Sequence, residues 1–157
     1  MKGSDRSGWL ETVEALIDGE DDEVAVWATV ACEVHHALPM ADWTGFYLVR
    51  RPGLLVIGPY QGTHGCLRIP FERGVCGLAA RERRVVNVPD VGAFPDHIAC
   101  SSTTRSELVV PVCTPAGDLL GVLDVDSDAP GAFGPEEEAL LMALCERVGA
   151  VVAGIRA

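Results

Sequence analysis

The chain has 157 residues, 48% hydrophobic and 22% charged, enough for one globular domain with a sizeable core. Its 12 lysines and arginines face 23 aspartates and glutamates, a net charge of −11. That balance excludes a basic stripe for nucleic acid or an anionic membrane surface, and leaves a small molecule or a protein as the expected partner. Residues 1–8 carry no apolar secretory segment, and no run reaches the roughly 20 apolar residues of a membrane span. A cytoplasmic protein is expected, where thiols stay reduced, so the six cysteines are poorly explained as structural disulfides.

In chain order, residues 1–7 read as a flexible N-terminus and residues 8–157 as one domain. Helices are expected over 8–18 and 22–38, separated by the acidic break Asp18-Gly19-Glu20-Asp21-Asp22. In the second, Trp27, Val30, Ala31, Val34 and Leu38 recur at helical spacing, Asp21 or Asp22 can cap the start, and Pro39 stops it. Residues 43–50 and 54–58 read as a hairpin around Arg51-Pro52-Gly53. A long loop then leads to an extended piece at 69–71, a helix over 75–82, a strand over 85–88 and a second loop over 89–105. Residues 107–113 and 119–126 form another hairpin, and a helix runs from Pro135 to about Ile155. Pro135 suits the first turn of that helix, and Glu136, Glu137 and Glu138 complement its dipole. Its apolar stripe (Leu141, Leu144, Val148, Val151, Ile155) fits packing on the sheet and fits a homodimer equally well. The element order predicts an α+β fold, a central antiparallel sheet flanked by N- and C-terminal helices, with loops covering a pocket.

Alternation places Trp43 and Tyr47 on one side of their strand, and Asp124 and Asp126 on one side of theirs. The aromatics suit either a core or a box around an alkyl group or cation. The two acids suit either a solvent-facing edge or a pair that holds an ammonium group or protonates a leaving oxygen. Glu107 can join them across the hairpin.

Cys32, Cys113 and Cys145 lie in regular elements and read as core. Cys66, Cys76 and Cys100 lie on the glycine- and proline-rich loops. Two His/Cys pairs, His64 with Cys66 and His97 with Cys100, raise zinc. His64-x-Cys66 is too tight for the usual ligand spacing and Cys76 stands alone, so no metal is expected. Thiol chemistry has more content. Cys76 opens a helix whose free N–H groups can stabilise a thiolate, and His97 can assist ionisation of Cys100. Whether these thiols come within disulfide range is open from spacing alone.

Several segments follow one another in a familiar order. They are Trp43-Thr44-Gly45-Phe46-Tyr47, Gly58-Pro59-Tyr60-Gln61-Gly62, Arg68-Ile69-Pro70-Phe71 and Arg73-Gly74-Val75-Cys76-Gly77. Val88-Pro89-Asp90-Val91, Phe94-Pro95, His97-Ile98-Ala99-Cys100, Arg105-Ser106-Glu107 and Gly121-Val122-Leu123-Asp124-Val125-Asp126-Ser127 complete the set. It resembles the free methionine-(R)-sulfoxide reductases, a GAF-domain family, over about residues 22–155. The resemblance implies a GAF-like fold and reduction of free methionine-(R)-sulfoxide. It implies Cys100 as the attacking thiol, Cys66 as the main resolving thiol and Cys76 as a secondary one. It further implies that Glu107, Asp124 and Asp126 bind the amino group and protonate the oxygen, with Trp43 and Tyr47 around the methyl side. No bound cofactor is implied, and thioredoxin is the implied external reductant. Ser101, where an acid is expected, and Leu78, in place of a smaller polar residue, depart from the pattern. A non-enzymatic GAF sensor and a thiol redox switch are the competing readings.

Overall fold

A computed structural model describes residues 3–157. The chain forms α1 (Gly3–Ile17), α2 (Glu23–Ala37), β1 (Trp43–Arg51), β2 (Leu54–Gln61), β3 (Arg68–Pro70), α3 (Gly74–Glu82), β4 (Val86–Val88), β5 (Ser106–Cys113), β6 (Leu119–Ser127) and α4 (Pro135–Arg156). One antiparallel sheet has the order β3-β2-β1-β6-β5-β4, so the first and last hairpins meet at its centre through β1 and β6. The expected α+β architecture is therefore observed.

Two boundaries differ from the sequence reading. The first helix begins at Gly3 instead of residue 8, and Arg6 from this added turn pairs with Glu136 and, at 2.7 Å, with Glu137. The strand expected to end at 58 continues through Pro59 to Gln61. A register shift opposite Phe46 accommodates Gly58 and Pro59, and β3 pairs only with Leu54–Val56, so Pro59 interrupts no ladder on that side.

Local chemistry explains the helix starts. The Asp22 carboxylate accepts from the N–H groups of Val24 (2.7 Å) and Ala25 (3.4 Å), capping α2. At α4, Pro135 occupies the first turn and Glu137 accepts from the Gly134 N–H at 2.8 Å.

The sheet has two unlike faces. One packs against α2 and α4, with α1 laid over both helices. Phe46, Leu48, Leu108, Val110, Leu123 and Val125 from the strands meet Trp27, Val34, Leu141, Leu144 and Val148 there. All of these are almost fully buried, and the rings of Trp27 and Phe46 meet at a tilt of 57° with centroids 4.8 Å apart. The apolar stripe of α4 is thus largely consumed within the chain. Of the three cysteines expected in the core, Cys145 is buried, whereas Cys32 and Cys113 are only half-buried. The opposite face is covered by α3 and the loops around residues 62–67 and 89–105. No helix among the described residues is long and apolar enough to cross a membrane.

Candidate active site

The residues that alternate with the core positions of β1, β5 and β6 face a cavity of about 260 Å³ under α3 and the two loops. Register brings them together. Asp126 is paired with Trp43 on one side and Glu107 on the other, and Asp124 with Gly45 and Val109. Trp43, Tyr47, Glu107, Asp124 and Asp126 all line this space, as do Cys76, His97 and Cys100.

Trp43 and Tyr47 form the aromatic wall, stacked with centroids 5.8 Å apart and planes at 25°. Trp43 also stacks with Tyr60 (5.4 Å, 19°), which is not part of the cavity lining. The indole N–H donates to the Thr63 carbonyl at 2.8 Å, fixing the ring against the covering loop. Gly45 makes the stack feasible, because a Cβ there would sit 2.5 Å from the Trp43 ring. Tyr60 belongs to a segment that carries the family resemblance, but the sequence assigns it no role. Its alternation with Gly58 on β2 becomes a signal only once the strand is seen to pass Pro59.

Glu107 and Asp124 are buried and Asp126 is half-buried, with no lysine or arginine beside them among the described residues. Glu107 is 6% exposed and Asp124 5%, and among the described residues neither Lys nor Arg lines the cavity. One oxygen each of Asp124 and Asp126 is buried with no hydrogen-bond partner among the described residues. Such groups cost free energy unless something supplies a proton or a positive charge. The pKa values respond accordingly. Burial first, then the charge of Asp126, pushes Glu107 up to about 8. Burial and neighbouring acids also raise Asp124 (through Glu107) and Asp126 (through Asp124 and Asp128).

His97 Nε2 lies 3.4 Å from Glu107. Burial lowers the imidazole pKa while that of Glu107 rises, so both groups are neutral near pH 7 and no ion pair forms between them. This places His97 against Glu107, in the same cavity lining as Cys100.

The cysteines separate into two kinds. Cys66 and Cys100 form a disulfide with Cα atoms 5.3 Å apart, tying the two covering loops together at the cavity. That bond also withdraws both thiols from the His64/Cys66/His97/Cys100 set considered for zinc. Cys76 is 2% exposed and its thiol donates to Glu107 at 3.8 Å. The thiolate expected at the start of α3 is a correction here. Burial, then Asp124, Glu107 and Asp126, raise the Cys76 pKa well above its ordinary value. Three nearby acids outweigh the partial charge of a helix end.

Of the two departures, Ser101 accepts from the Thr103 N–H (3.3 Å) and shares a hydrogen bond with its hydroxyl (3.0 Å), shaping the loop after Cys100. Leu78 is a half-buried part of the apolar rim around α3.

A family model for the GAF domain matches residues 20–152. A free methionine-R-sulfoxide reductase of Escherichia coli is 39% identical over 139 residues, covering 88% of this chain and 83% of that protein. Protein YtsP of Bacillus subtilis is 41% identical over 138 residues, covering 87% and 84%. An X-ray structure of free methionine-R-sulfoxide reductase from Neisseria meningitidis, in complex with its substrate, superposes with a TM-score of 0.91. It is 41% identical and the match covers 96% of this chain and 90% of that one.

Proposed function

The chain belongs to the GAF-domain free methionine-R-sulfoxide reductases, and we propose that it reduces free L-methionine-(R)-S-oxide to L-methionine, with Cys100 as the nucleophile and Cys66 as the resolving thiol. The observation that carries this reading is the Cys66–Cys100 pairing at the edge of a cavity whose acids have no lysine or arginine beside them among the described residues.

A sulfoxide oxygen leaves poorly until it is protonated. Glu107 holds its proton up to about pH 8 and is the donor in this scheme. Attack of the Cys100 sulfur on the sulfoxide sulfur transfers the oxygen to cysteine, releasing methionine and a sulfenic acid on Cys100. The Cys66 thiol then displaces that oxygen as water, leaving the Cys66–Cys100 disulfide. An external dithiol of the thioredoxin class reopens the bond, becoming a disulfide itself, and no bound cofactor takes part. The unpartnered oxygens of Asp124 and Asp126 receive the substrate ammonium, and Trp43 and Tyr47 flank the methyl sulfoxide. Cys76, buried and protonated, has no redox step in this scheme. A requirement for a free ammonium excludes methionine sulfoxide within a polypeptide.

The test is to incubate reduced protein with thioredoxin, its reductase and NADPH, and with each epimer of free methionine sulfoxide in turn. NADPH consumption with the free R epimer alone is expected. No turnover by freshly reduced, folded protein would overturn the reading, and binding of the R epimer without turnover would favour a sensor.

A further inference from the structure

Cys76, Glu107 and Asp124 come from three different elements, α3, β5 and β6, yet their ligand atoms all lie within 4.8 Å of one another. All three are more than nine-tenths buried. A second observation points the same way, since the buried Oδ1 of Asp124 has no hydrogen-bond partner among the described residues and its side chain lines the cavity. The scheme above gives Cys76 nothing to do. We propose that this trio is a site for a borderline-soft divalent cation of the zinc class, sharing the cavity with the amino-acid substrate and blocking it.

The donor set decides the class. One sulfur with two carboxylates suits zinc or cadmium, whereas calcium and magnesium require all-oxygen shells. Charge favours it too. The substrate is a zwitterion that brings no net charge to a cavity lined, among the described residues, by no lysine or arginine, whereas a divalent ion brings two positive charges. Binding takes the proton from the Cys76 sulfur and those held on the carboxyls and releases them to solvent as metal–ligand bonds form. No oxidant or reductant is required. Both the disulfide and the dithiol forms retain this site, because Cys66 and Cys100 are not ligands.

Blocking rests on the substrate placement given under Proposed function; the metal site itself does not. The experiment uses Cd²⁺ as probe on the Cys32→Ser protein with the Cys66–Cys100 disulfide intact. This removes the half-buried Cys32–His36 contact on α2 (3.6 Å) and leaves neither loop thiol available. The expected result is one Cd²⁺ per chain by calorimetry, with thiolate-to-metal ultraviolet absorbance that is lost in Cys76→Ser. Asp124→Asn should weaken binding about tenfold, the scale of one lost charged ligand contact. Circular dichroism verifies the fold of each variant, and Asp124→Asn carries the test if Cys76→Ser fails to fold. Absence of thiolate absorbance, or its survival in folded Cys76→Ser, would overturn the site. Excess L-methionine should displace the ion. Cadmium binding indifferent to methionine would overturn the blocking and the substrate placement beneath it, without touching the metal site.

Discussion

The two faces of the central sheet are made by the same strands, residue by alternate residue, and they obey opposite rules. On β6, Leu123 and Val125 enter a dry core with the helices, while Asp124 and Asp126 turn to the cavity. On β1, Phe46 and Leu48 face one way, and Trp43 and Tyr47 the other. The helix-covered face is stabilised by apolar burial and contains no chemistry. The cavity face holds acids with no lysine or arginine beside them among the described residues and a protonated thiol, which oppose folding until a ligand arrives. A strand of period two lets one face supply the stability that the other spends.

The sharpest break of that contrast is a change that removes function without touching structure. Cys100→Ser should abolish turnover in the thioredoxin-coupled assay, with a urea-unfolding midpoint equal to that of the reduced parent. Surviving activity would remove Cys100 as nucleophile. On the other face, Leu123→Ala should cost about 2–5 kcal/mol in urea unfolding, because Leu123 is fully buried and the surrounding core can close the void only partly. Its KM should be unchanged wherever the protein remains folded.

Asp124→Asn tests whether the two faces trade off. Loss of a charge-assisted contact worth about 1.5–3 kcal/mol should raise KM for the free sulfoxide roughly ten- to hundredfold. The thermal midpoint should hold or rise, because a buried carboxyl with one unpartnered oxygen is removed. A smaller effect concerns pH. The folded chain keeps the Glu107 proton up to about pH 8, while the unfolded chain releases it near 4.5. The folded state therefore binds more protons across this interval, and this group's contribution to stability falls as pH rises from 4.5 through 8. Activity should fall through the same upper limit as the donor ionises. Glu107→Gln should flatten the stability slope, and an unchanged slope would reject the pKa assignment.

Much of this contrast was legible in residue order. Alternation alone put Trp43 with Tyr47, and Asp124 with Asp126. It left open whether these faces met, since the pairing of β1 with β6 joins residues about 80 positions apart and no local pattern encodes it. Disulfide range between Cys66 and Cys100 was equally beyond spacing, as each sits on its own loop. Cys76 misled for a physical reason. A helix-start position argues for a thiolate, but burial among Asp124, Glu107 and Asp126 is a tertiary property that reverses the sign. Tyr60 escaped because Pro59 reads as the end of a strand, and only the register shift opposite Phe46 lets the strand continue.

A single turnover tests attack by Cys100 and resolution by Cys66 without any recycling system. Fully reduced protein is mixed with one equivalent of free L-methionine-(R)-S-oxide, and methionine and remaining thiols are counted. One methionine per chain is expected with the loss of two thiols, recovered by peptide mass spectrometry as a Cys66–Cys100 disulfide with Cys76 still reduced. Methionine formed with a disulfide that includes Cys76, or with no loss of thiols, would contradict those roles.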